Sequence, residues 1–180
     1  MEDLEAWPLH DGDRQQQARS LVNHQAYCEA IKRYRPDVKL TSFSLFPNGR
    51  ERNLRGWWNY EADRYVSQLD NLEPLALELD FVTVPVYWFT KSLWASSNYA
   101  ESVLRLAQRY RFWGKPIYAM VCPRIANPEV KGWQRGPEIS LSSQTRFKSL
   151  LEPLVDGFIF WDSSASEKPS QPVRELWGLQ

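Results

Sequence analysis

The sequence contains few of the residues that most often mark a redox or metal centre. Only two cysteines, Cys28 and Cys122, and two histidines, His10 and His24, occur among its 180 residues. The cysteines fall in segments typical of a helix and a strand, which predicts buried free thiols rather than a disulfide. Two histidines far apart do not provide the ligand set of a metal site, so we expect no metal and no other cofactor.

Charge and hydropathy exclude further classes of function. The 22 Lys and Arg residues balance the 22 Asp and Glu residues, so we expect no nucleic-acid partner and no attraction to a membrane surface. No apolar run approaches the roughly 18 residues that would cross a membrane. The N-terminus lacks the basic and apolar regions of a signal peptide, and a secretory signal would have to lie upstream of Met1. The compartment therefore stays open.

Apolar runs and amphipathic stretches alternate along the chain. The first predicted strand begins at Met1 and is ended by Pro8, and the later ones cover 39–46, 81–87, 116–122 and 157–161. The predicted helices cover 13–34, 61–72, 98–112 and 141–154, with a long loop rich in Gly and Pro before the last of them and a final turn at 173–179. Such alternation predicts an α/β fold with parallel strands.

Two observations indicate the type of sheet: the absence of phosphate-binding loops after the predicted strands, and the length of the chain. No Gly-x-Gly-x-x-Gly or Walker loop follows a predicted strand, which argues against a nucleotide-binding sheet. A complete (β/α) barrel usually needs roughly 200 residues or more. We therefore predict a partial TIM-like (β/α) barrel of five parallel strands and four helices over 1–162, followed by a polar C-terminal tail over 163–180.

The first predicted strand carries two carboxyl groups on one face. Asp3 and Glu5 are two positions apart, so their side chains point the same way along an extended strand. Neighbouring carboxyl groups make one of them keep its proton to higher pH, as a general acid near neutrality must. The alternative is an acidic, solvated N-terminus without a catalytic role.

Nine tryptophans are a high number for one domain. Most follow predicted strand ends, namely Trp7, Trp57, Trp58, Trp88, Trp94, Trp133 and Trp161. Barrel active sites lie at that end, where Asp3, Glu5, Tyr87 and Asp162 are also expected. Sugar rings pack their C–H faces on aromatic rings and need polar partners for their hydroxyls, which predicts a sugar-binding cleft. The alternatives are that these tryptophans only fill the barrel end and that Asp162 caps a strand.

Several motifs, in chain order, resemble those of hyaluronidase-type glycoside hydrolases. They are Asp3-Leu-Glu5-Ala-Trp7-Pro8, Ser44-Leu-Phe46-Pro47-Asn48, Val84-Pro85-Val86-Tyr87, Lys115-Pro-Ile-Tyr118, Ile139-Ser-Leu141 and Phe158-Ile-Phe-Trp161. The resemblance spans roughly residues 3–162 and corresponds to the C-terminal half of that barrel. Animal members carry a cysteine where Asn48-Gly49-Arg50 stands here, so their disulfide at this point is absent.

The resemblance implies a role for each matching residue. Glu5 would be the general acid/base, and Asp3 would orient the acetamido group of the substrate. Tyr87 would hydrogen-bond the reacting sugar, and Trp161 would form the floor of the site. In such enzymes the acetamido oxygen of the substrate attacks the anomeric carbon, an exception to the two-carboxylate scheme.

Three functions are therefore open at this point. The first is hydrolysis of a polysaccharide or oligosaccharide that contains N-acetylhexosamine. The second is carbohydrate binding without turnover. The third is an incomplete barrel whose strand edges pair with another copy of the chain or with a missing N-terminal half-barrel.

Overall fold

The computed structural model describes residues 9, 14–42, 61–88, 92–126, 135–161 and 168–179, with the backbone alone at 61–68, 126, 135 and 136. Its helices are α1 (Arg14–Tyr34), α2 (Glu61–Glu78), α3 (Leu93–Ala107), α4 (Leu141–Leu151) and α5 (Gln171–Leu176). Its strands are β1 (Val82–Pro85), β2 (Ile117–Val121), β3 (Arg124–Ala126), β4 (Arg135–Glu138) and β5 (Gly157–Phe160). Short 3-10 helices extend α3 over Gln108–Trp113 and α4 over Glu152–Leu154.

Three strands form a parallel sheet in the order β1-β2-β5. Val82 pairs with Ile117, and Tyr118 pairs with Gly157. The parallel arrangement that the sequence predicted is confirmed for these three strands. The described part of the chain shows no closed barrel.

The other two predicted strands are not seen as strands in the described residues. The strand predicted before Pro8 lies outside them, as do residues 43–46 of the strand predicted over 39–46. Residues 39–42 are irregular but run beside the start of β1, because the Asp80 amide donates to the Leu40 carbonyl at 2.9 Å. In return the Leu40 amide donates to the Asp80 carboxylate at 2.8 Å, and this bond holds the pKa of Asp80 below its usual range.

Gly157 begins β5 at a point where a neighbouring ring leaves no room for a side chain. A Cβ atom placed there would lie 2.9 Å from Cε1 of Tyr118, its partner on β2. The Tyr118 ring is itself packed edge-on against Phe81, with 5.2 Å between ring centroids. Glycine at this position therefore lets β5 pair closely with β2.

The Gly- and Pro-rich stretch before α4, which the sequence predicted to be a loop, contains an antiparallel hairpin of β3 and β4. It begins directly after β2, and its base is closed by the Ile139 amide, which donates to the Pro123 carbonyl at 2.9 Å. The hairpin was missed because its strands are short and β4 contains Gly136 and Pro137. Proline is tolerated in such an edge strand but removes the usual strand signal.

One face of the sheet packs against the helices. Alternate residues of β1 and β2 are fully buried there with α3 side chains, namely Val82, Val84, Ile117, Ala119, Tyr99, Ala100, Val103 and Leu104. Tyr110 lies in the same core, where burial raises its pKa to about 12. On the opposite face a separate small cluster contains Tyr87, Met120 and Cys122. Both cysteines are buried thiols outside any disulfide, as the sequence predicted, and burial raises the pKa of the Cys28 thiol.

Two helix boundaries differ from the predicted ones. The helix predicted over 98–112 begins at Leu93, because the Ser92 hydroxyl caps it by accepting from the Ala95 amide at 3.3 Å. The helix predicted over 61–72 continues to Glu78. The ammonium group of Lys115 stabilises its end by donating to the Leu77 and Leu79 carbonyls, at 2.8 and 2.6 Å.

Candidate functional site

Two aromatic side chains meet at the carboxyl end of the parallel sheet. Tyr87 follows β1 and Trp161 follows β5, and their rings stack with centroids 5.5 Å apart and planes 29° apart. The backbone on both sides is held to β2, since the Val86 amide donates to the Met120 carbonyl at 3.0 Å and the Trp161 amide donates to the Val121 carbonyl at 2.9 Å. The structure thus brings together two of the residues that the sequence placed at this rim.

The two rings differ in their exposure to solvent. Tyr87 is only 2% exposed, and its hydroxyl lies 2.8 Å from the Met120 sulfur, which is a weak acceptor. Trp161 is 37% exposed. Tyr87 therefore supports the indole from behind, while Trp161 offers a flat apolar surface to a ligand. A hydrogen bond from Tyr87 to a sugar stays a prediction.

The remaining predicted site residues lie outside the described part of the chain. They are Asp3, Glu5, Trp7, Trp57, Trp58 and Asp162. Their roles in catalysis and binding stay predictions. Trp133, which the sequence also placed near this rim, lies outside the described residues too.

Other tryptophans that follow predicted strand ends have different environments. Trp88 is buried and packs on Phe147 of α4, with 5.0 Å between ring centroids. At this position the alternative interpretation applies, that the side chain fills space in the core. Trp94 is 71% exposed in the first turn of α3 and is not part of the Tyr87–Trp161 stack. Proximity to a strand end therefore did not by itself place a tryptophan in the site.

Sequence reasoning missed Arg124, which follows β2 at the same end of the sheet. It is almost fully buried at the start of β3, where it pairs in register with Glu138. Tyr87, Arg124 and Trp161 thus follow the ends of three adjacent parallel strands. A guanidinium group carries only hydrogen-bond donors and pairs well with carboxylate oxygens. The available signal was the position of Arg124 two residues after the predicted strand 116–122.

The described residues contain no group of three or more His, Cys, Asp or Glu side chains placed to hold a metal ion. His24 is buried on α1 and is a packing residue of that helix. Within the same residues, no helix is both long enough and apolar enough to span a bilayer.

The described fold, a three-stranded parallel sheet with helices packed on it, is similar to part of a solved (β/α)-barrel structure. The crystal structure of bee venom hyaluronidase, a barrel enzyme, is similar to this chain with a TM-score of 0.63 and 16% sequence identity. The similarity covers 86% of this chain and 52% of that chain, so this chain spans about half the length of its structural neighbour. No protein-family model matches the sequence, and neither does the sequence of any curated protein. At this identity the likeness establishes a structural relationship in the fold.

Proposed function

We propose that this chain is a glycoside hydrolase that binds a glycan containing N-acetylhexosamine at the carboxyl end of its parallel sheet. The observation that carries the proposal is the stacked pair of Tyr87 and Trp161, which presents a supported indole face at the end where barrel enzymes bind substrate. The likeness of the fold to bee venom hyaluronidase agrees with glycosidase chemistry at a coarse level.

The indole suits a sugar ring for physical reasons. Because Trp161 is held by its stacked neighbour and by its backbone bond to Val121, little conformational freedom is lost when a ligand packs on it. Its exposed face is apolar and matches the C–H face of a pyranose. Arg124, which follows the adjacent strand β2, is the proposed source of polar donors, because a guanidinium group carries only hydrogen-bond donors. Shape and polarity together favour a carbohydrate over a purely apolar ligand.

The proposed chemistry uses the two N-terminal carboxyl groups. Glu5 gives its proton to the leaving glycosidic oxygen, while Asp3 orients the acetamido group of the substrate. The acetamido oxygen forms the new bond to the anomeric carbon, and water then opens this intermediate with Glu5 as the base. Support for these roles comes from the two-residue spacing on a predicted strand and from the motif Asp3-Leu-Glu5-Ala-Trp7.

Replacing Trp161 by alanine is expected to raise the dissociation constant for an N-acetylhexosamine oligosaccharide by about 2- to 12-fold. This range corresponds to the roughly 0.5–1.5 kcal/mol of an aromatic pair. Isothermal titration calorimetry measures the change. Phe112→Ala is the matched control, because that aromatic side chain is 90% exposed in the 3-10 helix before β2, at the opposite end of the sheet, and is expected to leave binding unchanged. Equal affinities for the parent chain and Trp161→Ala would contradict the proposed site.

A second candidate is that this chain acts only after another copy completes its sheet. The described sheet has three strands and no closed barrel. In a parallel pair, alternate residues of each strand direct their backbone groups to the neighbouring strand. The register of β5 with β2 therefore turns the backbone groups of Phe158 and Phe160 away from β2. An edge of this kind can pair with an added strand. We propose a second copy of the chain as the partner, and a missing N-terminal half-barrel is the alternative.

Self-association is the expected result of that second candidate. Light scattering at increasing protein concentration should show the mass of two or more chains. Phe160→Pro removes the amide that this residue turns away from β2, toward the open edge, and is expected to return the chain to a monomer. Val22→Lys, at an exposed position on α1, is the control and should not change the mass. A monomer with a cooperative melt at all concentrations would rule out the second copy.

A further inference from the structure

The residue after helix α5, Trp177, packs against the parallel sheet. The Trp177 ring packs on Phe158 and Phe160 of β5, with centroids 5.1 and 6.3 Å away. On α4, the Lys148 ammonium donates to the Leu176 carbonyl at 2.9 Å and lies 5.8 Å from the centre of the Trp177 ring. These contacts place α5 at a defined position beside α4 and β5.

Gln144 connects this helix to the base of the β3–β4 hairpin. Its buried carboxamide uses both ends, because Oε1 accepts from the Trp177 indole nitrogen at 2.8 Å and Nε2 donates to the Ile139 carbonyl at 2.8 Å. A longer contact of 3.5 Å joins Nε2 to the Pro123 carbonyl. Pro123 and Ile139 are the two ends of the hairpin. One side chain therefore bonds α5 and both ends of the hairpin.

A second link joins the C-terminal segment, residues 168–179, to the same hairpin. The Ser170 amide and hydroxyl both donate to the Glu138 carboxylate, at 2.8 and 2.6 Å. Glu138 ends β4 and pairs in register with Arg124 of β3. The C-terminal segment thus contacts the hairpin at its base and at β4, where Arg124 is held on the partner strand.

The hairpin in turn lies next to the aromatic pair. Ile125 of β3 forms a parallel bridge with Trp88, the residue after Tyr87. The Trp88 ring packs on Phe147, one turn along α4 from Gln144. A displacement of the hairpin would therefore reach Arg124 directly and Tyr87 through its neighbour.

We propose that Gln144, with Trp177 as its partner, is a positioning residue that holds the β3–β4 hairpin against the carboxyl end of the sheet. Through this amide the C-terminal segment sets the shape of the ligand site without touching the ligand. The inference deepens the proposed function and rests on it for the nature of the ligand. The position of the hairpin can be measured without any ligand.

The experiment compares hairpin exchange and glycan binding in three variants. Trp177→Phe removes the indole donor and keeps a ring on β5. Gln144→Met removes both hydrogen bonds at similar volume. Gln144→Glu keeps an acceptor for Trp177 but, when ionised, has no donor for the Ile139 carbonyl. Thr145→Val is the matched control on α4, since its exposed hydroxyl only donates to the Leu141 carbonyl.

Hydrogen–deuterium exchange is expected to accelerate in peptides covering 123–126 and 135–139 by roughly fivefold or more in Gln144→Met and Gln144→Glu, as the loss of a buried hydrogen bond implies. Trp177→Phe should give the same change in smaller degree. Peptides covering β1 and β2 should keep their parent rates. The dissociation constant for the N-acetylhexosamine oligosaccharide should rise most in Gln144→Met and Gln144→Glu and less in Trp177→Phe. Thr145→Val should match the parent chain in both measurements.

Other results of this experiment would contradict the positioning role or the proposed function. Unchanged hairpin exchange in Gln144→Met, or equal acceleration throughout the sheet, overturns the positioning role. A loosened hairpin with unchanged glycan affinity also overturns it, because the hairpin would then not shape the site. If the parent chain binds no glycan, the proposed function fails, and hairpin exchange alone then decides whether Gln144 holds the hairpin.

Discussion

Glu5→Gln is expected to lower the rate of glycan hydrolysis by about 10²–10⁴-fold, the usual contribution of general acid–base catalysis. The substitution keeps the shape of the side chain and removes the proton that would pass to the leaving oxygen. Binding of the oligosaccharide should be unchanged, because the proposed contacts with the sugar ring are made by Trp161. Initial rates of hydrolysis and calorimetric binding on the same preparations measure both quantities.

The proposed role of Asp3 supplies an internal control for this result. Asp3→Asn should also slow turnover, since the neutral amide neither keeps a proton on Glu5 nor orients the acetamido group as a carboxylate does. A glycan that lacks the acetamido group should be cleaved much more slowly than its N-acetylated form. Full turnover by Glu5→Gln, or equal cleavage of both glycans, would show that the mechanism is wrong.

Phe147→Ala is expected to lower the free energy of unfolding by about 3–5 kcal/mol, the usual cost of truncating a buried phenylalanine. Phe147 is fully buried on α4 and belongs to the core that contains Trp88 and Leu151. Its removal leaves a cavity below the Trp88 ring, which packs on it at 5.0 Å. Urea denaturation followed by circular dichroism measures the change in unfolding free energy.

The matched control lies on the same helix. Leu150 is 40% exposed, so Leu150→Ala removes a side chain that is only partly withdrawn from water and should cost far less. Both variants have similar helix propensity at the substituted position. Equal losses in the two variants would contradict the packing of α4 on the sheet.

The sequence was sufficient to predict the elements whose signal is local. β1, β2 and β5 lie inside the predicted strands 81–87, 116–122 and 157–161, because each is a short apolar run. The helix predicted over 13–34 is α1. The hairpin of β3 and β4 was not predictable in the same way, since its strands depend on pairing with each other and with the chain after β1.

That Tyr87 and Trp161 lie at the same end of the sheet was predictable from the sequence, and the environment of each ring was not. That Tyr87 and Trp161 share one end of the sheet follows from the parallel order of β1 and β5. Which ring is exposed depends on packing, and sequence spacing does not show that the Tyr87 hydroxyl lies against Met120. Trp88, adjacent to Tyr87, turns to the helix side because neighbouring residues of a strand point to opposite faces.

The neighbour order β1-β2-β5 also has a consequence for how the protein is made. Each strand pairs with the preceding sheet strand, so the sheet can assemble in the direction of translation. Ile117 and Asp156, which bond at the start of β2 and β5, lie 39 positions apart. Synthesis proceeds at about 5–20 residues per second, so roughly 2–8 s pass between the synthesis of β2 and that of its partner β5. During this time one edge of β2 is unpaired. The segment that carries Trp177 emerges after all three sheet strands, so the hairpin can be fixed in place only after synthesis of the sheet is complete.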